Sequence, residues 1–154
     1  MRILPLLISF AASLTVVTAE VKAQSSSEIL LQETGVLETG DASLSSSGIL
    51  YDEYTFEGSA GIPIRINWSS EEFPANLILL DSGYSILAII AANGELIQEA
   101  GDSAIQNLET RPTATGASAG FSLSQPGMYR VIIAAPDAAS DGQYSLSVVT
   151  ETAP

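Results

Sequence analysis

An aspartate followed by a serine and a glycine, Asp81-Ser82-Gly83, comes directly after an apolar segment at 77–80. Two such carboxylates that face each other can share one proton, so that one acts as a general base and the other as a general acid. The chain has one such loop, so this chemistry would require two copies of the protein. The other interpretation of the motif is a turn in which the Asp81 carboxylate accepts hydrogen bonds from its own backbone.

The first interpretation describes a homodimeric aspartic peptidase, and the second describes a protein without catalysis. Tyr84 follows the glycine at a position where such peptidases prefer a small residue. Other familiar mechanisms are excluded by composition, because the chain has no histidine and no cysteine, and Ser–His and Cys–His pairs therefore cannot form. We predict no catalytic residue and no enzymatic activity.

Clustered carboxylates could instead hold a structural calcium ion, because Ca²⁺ takes oxygen ligands from aspartate, glutamate and the backbone. The candidates lie in three segments: Asp81, Glu99 with Asp102, and Asp137 with Asp141. Their spacing does not match a dedicated calcium loop such as an EF-hand. Ca²⁺ is therefore a candidate cofactor without a defined ligand set, and no other cofactor is predicted.

The first 23 residues have the pattern of an export signal. Arg2 is followed by apolar and small residues, and small-residue cleavage patterns end at Ala19 and at Ala23. We favour cleavage after Ala23. The apolar run is shorter than the roughly 20 residues of a spanning helix, so we expect no integral membrane segment in the mature chain. The expected location is the periplasm or the outside of the cell.

The rest of the chain divides into a polar leader at 24–34, one domain at 35–149 and a tail at 150–154. Removal of 23 of the 154 residues leaves 131, which is enough for one self-supporting core. Three arginines and seventeen acidic residues remain, a net charge of −14. Such a surface repels nucleic-acid phosphates, and no nucleic-acid partner is predicted.

Alternation of apolar and polar residues predicts that the domain is built from β-strands. Segment 51–70 is the clearest case, because aromatic and isoleucine side chains recur there at every second position: Tyr54, Phe56, Ile62, Ile64, Ile66 and Trp68. We interpret this segment as a hairpin with glycines in its turn. Its apolar face is predicted to point into the core.

Further strands are predicted around 35–38, 75–80, 85–91, 95–98, 121–123, 129–133 and 144–148. Asn93-Gly94 predicts a hairpin turn, and an alanine-rich helix around 86–92 is the alternative to a strand there. Glycine, proline and hydroxyl residues dominate 99–118, which we interpret as a long surface loop with at most a short paired segment near 105–108. The pattern is typical of an antiparallel β-sandwich of about eight strands.

Strand and turn segments occur in a fixed order along the domain: Gly35-Val36-Leu37, Asp52 to Gly58, Ala60-Gly61, Phe73 with Leu77 to Asp81 and Gly83, Gln125 to Val131, and Gly142 to Leu146. In this order they resemble the bacterial pre-peptidase C-terminal domain family. The resemblance implies a jelly-roll-like β-sandwich that is usually non-catalytic and accompanies exported peptidases. It also implies roles in secretion, maturation or attachment, and calcium in related domains. Where the family often has adjacent aspartates, this chain has Glu99 and Asp102.

We therefore predict a non-catalytic, exported β-sandwich that acts as a binding or secretion-accessory module. Its expected partner is a separate exported enzyme, another protein or a glycan surface, and the module is expected to be a monomer. A purely structural envelope protein remains a further hypothesis beside the homodimeric peptidase. Tyr51 and Tyr84 are the aromatic candidates for exposed contact, whereas the spacing of Tyr54, Phe56 and Trp68 indicates core packing.

Overall fold

The structure is a computed structural model that describes residues 27–101 and 104–151. The predicted signal peptide, the start of the predicted leader, Asp102 and the last three residues lie outside these ranges. The described residues form ten β-strands: β1 Ile29–Leu37, β2 Tyr51–Gly58, β3 Pro63–Ser69, β4 Asn76–Leu80, β5 Ile86–Ile90, β6 Leu96–Glu99, β7 Ile105–Pro112, β8 Gly116–Leu123, β9 Gly127–Ala134 and β10 Gly142–Thr150. Within the same ranges, no helix could span a membrane.

The strands form two five-stranded antiparallel sheets. Sheet I has the order β1-β10-β3-β8-β7, and sheet II has the order β2-β9-β4-β5-β6. The predicted antiparallel all-β sandwich is confirmed, with ten strands in the described residues in place of about eight.

The core lies between the two sheets and is built by side chains that alternate along the strands. The indole N–H of the buried Trp68 donates to the backbone carbonyl of Ala75 at 2.9 Å, so the one polar atom of this large side chain is satisfied. The largest fully buried side chains come from both sheets: Trp68, Leu37, Ile64, Ile66, Leu77, Leu79, Ile90, Leu123, Ile133, Leu146, Val131 and Val148.

The predicted hairpin over 51–70 is wrong in its pairing, although both of its strands exist. β2 pairs with β9 in sheet II, whereas β3 lies between β10 and β8 in sheet I. The connection therefore crosses between the sheets, and Gly61, with a φ of 74°, donates its N–H to the Leu123 carbonyl at 2.9 Å. Ile62 lies in this connection and is 42% exposed. Alternation predicts which face is buried, but it does not specify the neighbouring strand.

The predicted loop over 99–118 is also wrong, because it contains β7 and the start of β8. β8 lies in the interior of sheet I, between β3 and β7. Its small residues make room for β3: a Cβ at Gly120 would lie 2.9 Å from a guanidinium nitrogen of Arg65, and one at Gly116 would overlap the carbonyl oxygen of Trp68. Composition favoured a loop, but these glycines allow a close approach of neighbouring groups within a sheet.

One shorter segment differs from the prediction, and two agree with it. β1 begins at Ile29 rather than near Gly35, so residues 29–34 of the predicted leader lie along β10. β5 is a strand, so the helix alternative at 86–92 is wrong. Asn93-Gly94 lies in the turn between β5 and β6 as predicted, and Gly94 has a φ of 83°.

Candidate functional site

The outer face of sheet II is apolar near its centre. Ile78 of β4 lies opposite Ile132 of β9, and Ile132 lies opposite Glu53 of β2. Ala134, the next outward position on β9, lies opposite Tyr51. These side chains point away from the core because their neighbours along each strand point into it. A sheet face that meets water usually carries polar residues, so this apolar face is a candidate contact surface.

A shallow cleft opens on this face between two tyrosines. Tyr84 is 58% exposed, and Tyr51 is half-buried. The cleft has a volume of about 140 Å³ and is lined by Leu44, Tyr51, Glu53, Ile78, Tyr84, Ile132 and Ala134. We call it the Tyr51–Tyr84 cleft. Its two tyrosines are the aromatic residues that the sequence predicted as exposed contacts.

Tyr84 is held over the guanidinium group of Arg130, which lies 4.1 Å from the ring centroid. Arg130 also forms an ion pair with Glu53, with 2.6 Å between Nη1 and Oε1. The Arg130 Nε is buried and has no hydrogen-bond partner among the described residues. Partial removal of water from the guanidinium strengthens its attraction to the ring. The ring of Tyr84 is therefore fixed in place while most of it stays exposed.

Asp81 closes the turn that leads to Tyr84. Its Oδ1 accepts hydrogen bonds from the backbone N–H groups of Gly83 and Ser85, both at 2.9 Å. These two hydrogen bonds are those of a backbone turn, which is the second interpretation of the Asp-Ser-Gly motif. The carboxylate is thus engaged by its own backbone, and the peptidase alternative is not favoured.

The five predicted calcium ligands do not come together within the described residues. Asp81 follows β4 at one end of the sandwich, and Asp137 and Asp141 lie in the loop after β9 at the opposite end. Glu99 ends β6, and Asp102 is outside the described residues. No group of three acidic, histidine or cysteine residues in the described ranges could hold a metal ion. Calcium binding stays a prediction.

A cluster of three hydrogen-bonded side chains connects the two sheets where β1 approaches β2. The Tyr144 hydroxyl donates to the Asp52 carboxylate, and the Tyr54 hydroxyl then donates to the Tyr144 oxygen. Burial raises the pKa of Tyr144 far above its ordinary value, and the hydrogen bonds with Asp52 and Tyr54 raise it further. Gly35 makes room, because a Cβ there would overlap the Tyr144 ring. Tyr144 keeps its proton at neutral pH, so this cluster suits a structural connection and not acid–base catalysis.

Tyr144→Phe is expected to lower the free energy of unfolding by about 1.5–3 kcal/mol at pH 7, because it removes a hydrogen bond to a carboxylate. This difference from wild type should shrink in alkali, by about 1.4 kcal/mol between pH 8 and pH 11. A tyrosine whose pKa is raised by folding stabilises the native state below its unfolded pKa of about 10, and this contribution falls by about 1.4 kcal/mol per pH unit above that value. Urea unfolding from pH 8 to pH 11 measures the difference, with Tyr51→Phe as control, because the Tyr51 hydroxyl has no hydrogen bond to a carboxylate among the described residues. A difference that stays constant to pH 11 would contradict the claim that folding raises the pKa of Tyr144.

The outer face of sheet I is polar and has a larger groove, of about 300 Å³. Side chains along this groove pair with each other across the strands. The Asn67 amide donates to the Ser147 hydroxyl at 3.3 Å, and the hydroxyls of Ser69 and Ser145 lie 2.8 Å apart. Mutual pairing leaves these short side chains with fewer free donors and acceptors. The apolar cleft is the stronger candidate, because burial of apolar surface drives most protein association.

The fold and the cleft define the class of protein: an all-β sandwich domain with a small apolar cleft on one outer face. The chain is similar to the crystal structure of the pre-peptidase C-terminal domain of a collagenase from Bacillus anthracis. The two share 18% sequence identity and have a TM-score of 0.47, and the match covers 78% of this chain and 89% of that chain. The matched domain is of the family that the sequence resembles. Comparisons with protein-family models and with curated proteins give no match.

The sequence indicated Tyr51 and Tyr84 as candidates for exposed contact, but it predicted neither the cleft nor its other residues. Tyr84 is exposed, whereas Tyr51 is half-buried. Ile78 and Ile132 occur in apolar runs, where periodicity cannot separate the outer face of a strand from the inner one. Arg130 stands between two core positions of an alternating strand, which predicts an outward side chain. Its partner Glu53 is 77 residues away along the chain, so only the folded structure shows the ion pair.

Proposed function

We propose that this chain is a non-catalytic exported module that binds a partner protein through the Tyr51–Tyr84 cleft. The observation that carries the proposal is an apolar cleft, flanked by two tyrosines, on an outer sheet face. A few tyrosine, tryptophan and arginine residues provide most of the binding energy at protein interfaces. The cleft has two tyrosines, and Arg130 supports one of them.

The size of the cleft supports a single side chain as its occupant. Pockets that bind whole small molecules usually measure about 300–1,000 Å³, whereas this cleft measures about 140 Å³. Apart from Glu53 and the tyrosine hydroxyls, its lining side chains are apolar, either aliphatic or aromatic. The proposed occupant is one large apolar side chain, such as leucine, methionine or phenylalanine, presented by a partner polypeptide.

The charge of the chain supports basic residues next to that side chain. The described residues include three arginines and 16 acidic residues. All three arginines are in ion pairs: Arg65–Glu151, Arg111–Glu109 and Arg130–Glu53. The acidic excess attracts a basic partner and accelerates its association. The proposed ligand is therefore a basic protein segment with one apolar anchor.

Two further observations support a role without catalysis. The Asp81 carboxylate is used by its own turn, and the chain has no histidine or cysteine to act as a base or nucleophile. The predicted signal peptide supports the exported location.

Selection of a random heptapeptide display library on the mature protein tests this function. We expect enriched peptides to contain one large apolar residue flanked by lysine or arginine. For the tightest of these peptides, Tyr84→Ala should raise the Kd by about 30-fold, because central aromatic contacts contribute about 2 kcal/mol or more. Titration calorimetry measures the Kd of each variant.

Met128→Ala is the matched control for Tyr84→Ala. Met128 is 48% exposed on the same face of sheet II but does not line the cleft, so its loss should change the Kd by no more than about twofold. Added salt should slow association, because it screens the acidic surface. Three results would each reject the proposal: no enriched peptide, unchanged binding by Tyr84→Ala, or binding of neutral oligosaccharides in place of peptides.

A further inference from the structure

Tyr84 has a backbone conformation that its side chain does not favour. Its φ is 64°, in the left-handed region, which is uncommon for residues other than glycine, asparagine and aspartate. Gly83, which adopts such angles without strain, is one position earlier in the same turn. A strained backbone angle persists only where the surrounding structure holds it, and such positions often occur at binding sites.

Hydrogen bonds to Asp81 hold both residues next to Tyr84. The Asp81 Oδ1 accepts from the N–H of Gly83 and from the N–H of Ser85, both at 2.9 Å. The Asp81 backbone donates to the Ser85 carbonyl at 3.0 Å and accepts from the Tyr84 N–H at 3.1 Å. The peptide groups before and after Tyr84 are therefore fixed by one side chain and its own backbone.

With this left-handed φ, the Tyr84 ring lies against Arg130 of sheet II. The ring centroid lies 4.1 Å from the guanidinium carbon of Arg130. The Glu53 Oε1 lies 2.6 Å from the Arg130 Nη1 and accepts from the Tyr84 hydroxyl at 3.5 Å. The same ring forms one wall of the Tyr51–Tyr84 cleft. A ring that is already fixed before a partner arrives loses less conformational freedom on binding.

We infer that Asp81 is a positioning residue of the cleft, which holds Tyr84 in its left-handed conformation so that the ring is ordered before a partner protein binds. This inference rests on the proposed function. The Asp-Ser-Gly motif then has a role in recognition through the residue that follows it, and the carboxylate acts as a hydrogen-bond acceptor within its own turn. Asp81 does not line the cleft, so its effect on binding must pass through Tyr84.

Three variants of the mature protein test the inference, with the tightest display-selected peptide as the probe. Asp81→Ala removes the acceptor and should raise the Kd by about three- to tenfold, the range expected for loss of one ordered side chain. Asp81→Asn keeps an Oδ1 acceptor and should bind within about twofold of wild type. When Tyr84 is already replaced by alanine, Asp81→Ala should not change the Kd further, because Asp81 acts on binding through Tyr84.

NMR of the free proteins gives a readout that does not depend on the peptide. The HN–Hα coupling and intraresidue contacts of residue 84 report φ, and the Arg130 side-chain shifts report the ring above it. We expect wild type and Asp81→Asn to show the positive φ and the shifted Arg130 signals, and Asp81→Ala to lose both. Thermal unfolding confirms that each variant is folded.

Two results would overturn the inference. One is an Asp81→Ala protein that keeps both the Tyr84 conformation and the wild-type affinity. The other is an equal loss of affinity on Asp81→Ala in the wild-type and Tyr84→Ala backgrounds, which would mean that Asp81 acts elsewhere. A wild-type protein that selects no peptide rejects the proposed function, and the NMR comparison then decides by itself whether Asp81 holds Tyr84.

Discussion

Gly116→Ala is expected to lower the free energy of unfolding by about 3 kcal/mol or more. A Cβ at this position would overlap the carbonyl oxygen of Trp68 and lie 2.7 Å from the Cα of Ser69. Extra methyl groups in packed interiors usually cost about 1–3 kcal/mol, and here the neighbouring atoms belong to the backbone of an interior strand, which cannot rotate away. Urea unfolding followed by the fluorescence of the single tryptophan measures the change.

Gly101→Ala is the matched control for this substitution. A Cβ at Gly101 would meet nothing within 4 Å in the described part of the chain, so the stability should change by no more than about 0.5 kcal/mol. If Gly116→Ala has the same free energy of unfolding as wild type, β8 does not lie against β3 as described. The same conclusion follows if Gly116→Ala and Gly101→Ala lose equal amounts of this free energy.

Trp68→Ala is expected to lower the free energy of unfolding by about 3–5 kcal/mol, the usual cost of removing a large aromatic side chain from a core. Trp68 is only 2% exposed, and its indole N–H donates to the Ala75 carbonyl. The loss therefore combines a cavity with an unpaired buried acceptor. Circular dichroism follows the unfolding, because this substitution removes the fluorescent residue.

Trp68→Phe separates these two contributions. Phenylalanine keeps much of the apolar volume but leaves the Ala75 carbonyl without its donor, which costs about 1–3 kcal/mol. Trp68→Phe should therefore lower the free energy of unfolding by less than Trp68→Ala does. A Trp68→Ala protein that loses less than about 1 kcal/mol would contradict the position of the indole in the core.

The two outer faces of the sandwich differ in polarity. On sheet I, polar residues of β3 and β10 pair across the strands, as Asn67 and Ser147 do. On sheet II, Ile78 and Ile132 are adjacent and only half-buried, between Tyr51 and Tyr84. An apolar sheet face gains free energy when a partner covers it, and the long-range attraction of the acidic chain adds to the rate of association with a basic partner.

Local chemistry made most strands predictable from the sequence. In β3 the alternation of Ile64, Ile66 and Trp68 follows from the pleat of a single strand, whichever strand lies beside it. The turn at Asn93-Gly94 was predictable because glycine adopts positive φ without strain. The turn at Asp81 was one of two interpretations, since its hydrogen bonds involve only neighbouring residues.

The sequence by itself therefore determined the all-β class and the buried face of β3, and it indicated that Tyr84 is exposed. The tertiary structure alone decided that β2 and β3 belong to different sheets, that glycine-rich β8 is an interior strand, and that Tyr84, Arg130 and Glu53 meet on one face. The physical reason is the range of the interactions. A pleat and a tight turn depend on a few consecutive residues, whereas strand partners and the cleft depend on contacts between segments far apart in the chain, which a period of two does not encode.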